Sequence, residues 1–103
     1  MIVKWSNIAL EKWSKIADYI FDEFGFIALQ EYEEQTLQWE AAISNNPSIG
    51  AIEPLLQNRA RSYRYVIIRH QTKLVYFVDN DTIVIANVWD TRREPKSQVK
   101  EIK

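Results

Sequence analysis

The sequence predicts an α+β fold, a helical hairpin packed on a four-stranded antiparallel sheet in the order β-α-α-β-β-β. Three observations carry the prediction. Apolar residues recur at steps of three and four through residues 9–24 and again through 29–43, with Gly25 between the two runs. Three β-branched and aromatic runs follow after residue 62, joined by short polar links. A short apolar run, Ile2-Val3-Lys4-Trp5, opens the chain. With 103 residues there is length for one domain and one core, so a single domain is expected over 1–103, with the tail from about residue 96 flexible.

The opening run reads as the first strand. Ser6 and Asn7 follow it, and their side-chain oxygens suit a helix N-cap. Ala9, Trp13, Ile16, Ala17, Ile20 and Phe24 share one helical face, and Gly25 can take the left-handed conformation that ends the helix. A second helix is expected over 26–44, burying Leu29, Tyr32, Thr36, Trp39 and Ile43 and leaving Glu31, Glu33, Glu34 and Glu40 in solvent. The tight link at Gly25 makes the pair an antiparallel hairpin. Asn45-Asn46-Pro47 stops the second helix, and residues 45–62 read as an irregular connection anchored by Ile49, Ile52, Leu55 and Leu56. Strands are predicted at Tyr63–His70, Lys73–Asp79 and Thr82–Trp89, with Gln71-Thr72 and Asn80-Asp81 as links of an antiparallel meander. Pro95 keeps a further strand out of the charged tail. Alternation along the second strand does not decide which of its faces meets the helices.

Composition narrows the function. Cysteine is absent, which excludes disulfides and thiolate metal sites and fits a reducing compartment. No run approaches the ~20 apolar residues of a membrane span, and the N-terminus lacks a signal peptide's apolar stretch. A cytoplasmic protein with no membrane contact and no cofactor is expected. The net charge of −1 hides an asymmetry: residues 1–55 carry three lysines against nine acids, and residues 56–103 carry ten Lys or Arg against five acids.

The basic half supplies the candidate site. Arg59, Arg61, Arg64, Arg69, His70 and Lys73 cluster around the second and third strands, with Arg92, Arg93 and Lys96 beyond the last. Arginine grips two phosphate oxygens at once and stays charged at any cellular pH; the competing reading is a solvated surface or a contact for an acidic partner. His70 is the one histidine, at a strand end, where an ordinary surface role competes with proton transfer. Tyr63, Tyr65, Tyr76 and Phe77 have faces on which bases stack, although strand aromatics more often fill cores. Asp79, Asp81 and Asp90 fall where turns favour aspartate, so no metal site is expected.

Several short marks, in this order, resemble the RelE/ParE superfamily of toxins from type II toxin–antitoxin systems, the plasmid-stabilisation type. They are Trp5-Ser6 closing the first strand, Asn46-Pro47-Ser48-Ile49-Gly50 after the hairpin, Tyr63-Arg64, Lys73-Leu74-Val75-Tyr76, and Val88-Trp89-Asp90-Thr91-Arg92-Arg93-Glu94-Pro95. The resemblance spans about residues 2–96. It implies a growth-arresting toxin neutralised by a cognate antitoxin, as a hetero-oligomer with it or as a homodimer. In the RNA-cutting branch, basic sheet residues hold messenger RNA on the ribosome, and the matching positions here are Arg64 and one of Arg92 or Arg93, with His70 as the proton carrier. Arg59, Arg61, Arg69, Lys73 and Lys96 would add nucleic-acid contacts. That ribosome-dependent mRNA endonuclease is slightly favoured, because a basic sheet suits phosphate. Two alternatives stand beside it: a non-enzymatic inhibitor of DNA gyrase, as in the ParE branch, and a degenerate toxin that only binds its antitoxin. The chain has no Tyr after Tyr76 and no His after His70, whereas active RNA-cutting relatives carry such residues near the C-terminus.

Overall fold

The computed structural model describes residues 1–69, 71–92 and 102. Strand β1 (Ile2–Trp5) leads into helix α1 (Asn7–Phe24) and helix α2 (Phe26–Asn45); a two-residue strand β2 (Ala51–Ile52) and a single 3-10 turn (Pro54–Leu56) precede β3 (Arg64–Ile68), β4 (Thr72–Asp79) and β5 (Thr82–Asp90). Of the tail from residue 96, only Ile102 is among the described residues.

Both helices form where the apolar stripes place them. Ser6 caps α1: its hydroxyl oxygen accepts from the Ala9 N–H at 3.0 Å and donates to the Ala86 carbonyl at 2.8 Å, so one side chain starts the helix and fixes it to β5. Gly25 sits at φ 89°, in the region that favours glycine, and joins the two helices without an intervening loop.

The sheet corrects the expected topology. It has five strands in the order β1-β5-β4-β3-β2, with β1 parallel to β5 and every other pair antiparallel, in place of four antiparallel strands. Counting chain reversals gives the reason. The two helices return the chain to the end where β1 stopped. β2 then crosses the sheet, β3 and β4 reverse it twice more, and β5 comes back running with β1. β2 was hidden in a segment read as irregular, so one reversal was missing from the count.

The links also shift. Ile68 pairs with Thr72, so the β3–β4 link is 69–71 rather than Gln71-Thr72, and Arg69 turns it at φ 53°. Asn80 turns the β4–β5 link at φ 55°, as suits asparagine.

Side chains sort onto two faces. Val66, Ile68, Leu74, Tyr76, Ile83, Ile85 and Val88 meet Ala9, Ala17, Ile20, Tyr32 and Ile43 of the helices. The far face is not bare: Leu56, Tyr63, Val75, Phe77, Trp89 and Ile102 form a second, smaller core on it. Of the aromatics considered for base stacking, Tyr63, Tyr76 and Phe77 are therefore buried. Two sets of expected core residues differ. Phe24 is 60% exposed, because the end of α1 overhangs the β3–β4 turn. Of the four apolar anchors expected in the 45–62 connection only Leu56 is buried, and Ile49, Ile52 and Leu55 face solvent.

Candidate functional site

Three of the sequence marks meet in one hydrogen-bonded knot. The Tyr76 hydroxyl donates to the Pro47 carbonyl at 2.7 Å and accepts from the Gly50 N–H at 2.9 Å. Arg64, adjacent to Tyr76 across β3 and β4, donates from its guanidinium to the Gly50 carbonyl at 2.7 Å and to Ser48 at 3.3 Å. Asn46 begins the loop: its carbonyl accepts from the Ile49 N–H and its side chain from the Ser48 N–H. Gly50 has no space for a side chain, since a Cβ there would lie 2.6 Å from the Tyr76 hydroxyl and 2.8 Å from the Tyr65 carbonyl. Burial pushes the Tyr76 hydroxyl pKa up, against the opposing pull of Gly50 and Arg64, so at neutral pH it remains a donor.

Lys73, Arg61, Arg69 and Arg92 are also engaged. Lys73 lies on the far face, 2.8 Å from Glu53 and over the Tyr65 ring at 4.2 Å. Glu53 is fully buried, and its second oxygen accepts from the Leu55 N–H. Arg61 lies 4.2 Å from the Phe77 ring centre, and Arg59 is exposed just past the 3-10 turn. Arg69 is held against α2, its N–H donating to Gln35 at 2.7 Å and its guanidinium to the Ala28 carbonyl and Glu31. Arg92 forks onto Asp90, Nε to Oδ1 at 3.1 Å and Nη2 to Oδ2 at 3.0 Å, and this carboxylate holds its pKa above the ordinary value. His70, Arg93 and Lys96 fall outside the described residues.

The register separates the two arginines matched by resemblance. Arg64 pairs with Tyr76, whereas Arg92 lies beyond Asp90, the partner of Thr72. Four residues along β4 and two strand spacings across the sheet put Arg64 roughly 16 Å from Asp90, and Arg92 lies two residues beyond that. Two separate hollows result. Arg61 and Arg64 line the smaller, about 380 Å³, beside Pro47, Tyr76 and Phe77. Arg69 and Arg92 line the larger, about 560 Å³, between α1 and the ends of β4 and β5.

Lys12, Lys15 and Tyr19 join Arg69 and Arg92 at the larger hollow, and sequence reasoning passed over all three. Their spacing of three and four carried a usable signal: they form a stripe on α1 flanking the buried one. Among the described residues, no group of three or more His, Asp or Glu is placed to hold a metal ion, and no helix is long and apolar enough to cross a membrane.

A hairpin over one face of a mixed sheet, with the marks interlocked, defines a RelE/ParE-type fold. The family model for the ParE toxin of the type II toxin–antitoxin system parDE matches residues 3–95, and this chain belongs to that family. A solved structure described as the chromosomal ParDE TA system from P. aeruginosa has the same fold, with a TM-score of 0.70 at 15% identity over 89% of this chain and 97% of that one. No curated protein matches the sequence.

Proposed function

We propose that this chain arrests growth by binding a protein target, DNA gyrase, rather than by cutting messenger RNA, and that a cognate antitoxin neutralises it. This reverses the slight preference drawn from the basic sheet. One observation carries the change: the Arg64 guanidinium is engaged with main-chain carbonyls, and Arg92 lies beyond Asp90, whose backbone is itself roughly 16 Å from that of Arg64. A phosphate grip needs donors converging on one reacting group. Beside Arg64 the hydroxyl of Tyr76 is buried, already donating, and unsuited to accept a proton at neutral pH. The ParE family match supports the gyrase reading, and the ParDE description of the structural neighbour supports the antitoxin.

Exposed apolar side chains on the hairpin give such partners a surface. Leu10, Phe21, Phe26, Ile27 and Leu37 are each between 49% and 72% exposed. The decisive experiment adds purified chain to a gyrase supercoiling reaction and, in parallel, maps transcripts by primer extension after induction. Inhibited supercoiling with intact transcripts is expected. Normal supercoiling with cut transcripts overturns the proposal, and harmless expression without an antitoxin makes the chain a binding module only.

A further inference from the structure

A third concavity, about 270 Å³, is a cleft between α1 and α2 beside the end of β1. Its floor is aromatic: Trp13 stacks on Tyr32 and meets Trp5 edge-on. The Trp13 N–H donates to the Thr36 hydroxyl, which donates in turn to the Tyr32 carbonyl. The floor is thus fixed, and these polar atoms are satisfied within the chain. Leu10 of α1 and Leu37 of α2 line the cleft from its two sides, both exposed.

Two carboxylates complete the lining. Glu33 and Glu40 are two turns apart on α2, which puts them on one face of the helix roughly 10 Å apart along its axis. No basic side chain lines the cleft. Glu40 is half-buried and accepts from the Trp5 N–H, yet burial still raises its pKa. Keeping that carboxylate charged therefore carries a cost that a neighbouring cation offsets.

Shape and charge together select the occupant. A single metal ion cannot serve both carboxylates, because its ligand oxygens must lie about 2–2.6 Å from it. A neutral apolar ligand covers the leucines and leaves both charges unmatched. The volume falls just below the ~300–1,000 Å³ typical of drug-sized ligands, which suits a slender chain. Methylene groups gain by covering Leu10 and Leu37, and ammonium groups are attracted by tryptophan faces as well as by carboxylates.

We infer that this cleft binds a linear aliphatic polyamine, with its methylene chain along Leu10, Leu37 and the tryptophans and its terminal ammonium groups on Glu33 and Glu40. The inference does not depend on the toxin reading, since it uses only the hairpin and the end of β1. The ligand contacts α1, α2 and β1 together, a site that exists only in the folded chain, so it raises the unfolding midpoint as it binds.

The test titrates the full chain with spermidine, followed by calorimetry and tryptophan fluorescence. Saturable one-to-one binding with a change in tryptophan emission is expected, and amide shifts in nuclear magnetic resonance spectra should be confined to the cleft residues. Putrescine, whose two ammonium groups lie closer together, reaches one carboxylate at a time and should bind about fivefold more weakly or worse. Glu33→Gln and Glu40→Gln should each weaken spermidine binding by about fivefold or more, with circular dichroism confirming that both variants are folded. Leu37→Ser keeps both charges and should weaken it as well. Magnesium ions should not reproduce the amide shifts.

Binding weaker than about 1 mM, or binding unchanged in the double variant Glu33→Gln, Glu40→Gln, overturns the inference. Equal affinity for putrescine and spermidine, or the same shifts from magnesium, also overturns it by reducing the cleft to a diffuse negative surface. A lysine-rich peptide that occupies these residues more tightly than spermidine overturns it in favour of a protein-docking surface.

Discussion

Replacing Arg64 by alanine separates architecture from chemistry. The perturbation removes a cation that donates at 2.7 Å to the Gly50 carbonyl, a buried residue, and at 3.3 Å to the more exposed Ser48 carbonyl. A hydrogen bond from a charged donor contributes about 1.5–3 kcal/mol net, and a buried carbonyl left without a donor loses about 1–3 kcal/mol. These describe the same event from two sides and are not summed. The long Ser48 bond lies near solvent and adds little, so the expected loss is about 2 kcal/mol. For a domain of this size that lowers the midpoint of thermal unfolding by roughly 8–15 °C. Arg64→Lys places a charge nearby but lacks the fork, and should lose about half as much. The assay is thermal and urea unfolding followed by tryptophan fluorescence, run beside gyrase inhibition at a temperature where the variant is folded. Reduced stability with inhibition retained is expected. If Arg64→Ala unfolds within about 0.5 kcal/mol of the parent and loses transcript cleavage, Arg64 works on phosphate and the structural account fails.

Trp13 stacks on Tyr32 at 4.8 Å, meets Trp5 edge-on, and donates to the Thr36 hydroxyl at 2.9 Å, so Trp13→Ala should cost about 3 kcal/mol and Trp13→Phe about 1 kcal/mol in urea unfolding; an unchanged midpoint for the alanine variant would contradict the helix packing. Lys73→Met leaves the Glu53 carboxylate buried without its cation and should cost about 3 kcal/mol, most of it recovered in the double variant with Glu53→Gln; a double variant no more stable than Lys73→Met would show that the pair is not the cause. Gly50→Ala drives a methyl group against the Tyr65 carbonyl and the Tyr76 hydroxyl and should cost about 1–3 kcal/mol, read as a lowered melting midpoint. Partial burial raises the Glu40 pKa despite the hydrogen bond from Trp5, so the fold holds that proton more tightly than the unfolded chain does, and stability falls as pH rises through the carboxylate range. Glu40→Gln should accordingly be more stable than the parent at neutral pH, with the difference closing in acid; a constant difference across pH would refute the assignment.

The elements that sequence revealed are those with an internal period. In the stripes through Ala9–Ile20 and Tyr32–Ile43, Ala9, Ala17, Ile20, Tyr32, Thr36 and Ile43 are buried and Trp13, Ile16 and Trp39 are half-buried against them, and the three-strand meander follows its alternating runs. β2 escaped because two residues, Ala51 and Ile52, have no period to detect, and with it went the parity that makes β1 parallel to β5. The state of each cation was equally hidden. Arg64 reaches back to Gly50, Lys73 to Glu53 and Arg69 to Glu31, all distant in sequence and adjacent only after folding. A count of arginines on strands therefore located a basic region but gave no information on which guanidiniums converge. Lys12 and Lys15 belong to the acidic half of the chain, and a charge tally by halves concealed that α1 delivers them to the groove beside Arg92.

The interlocking of the marks bears on what each one signifies. Ser6 of the first mark is bonded to Ala86 of β5, Gly50 of the second is bonded to both Arg64 and Tyr76 of the third and fourth, and Asp90 of the last holds Arg92 through its own side chain. Each mark thus closes a contact that positions the hairpin, the connecting loop or the final strand. Substitutions within the marks should register first as lost stability. Lys15 and Tyr19, outside every mark, sit on exposed helical positions, and substitutions there should leave the unfolding midpoint close to the parent's. Residues that place a chain in the ParE family need not be those through which it acts.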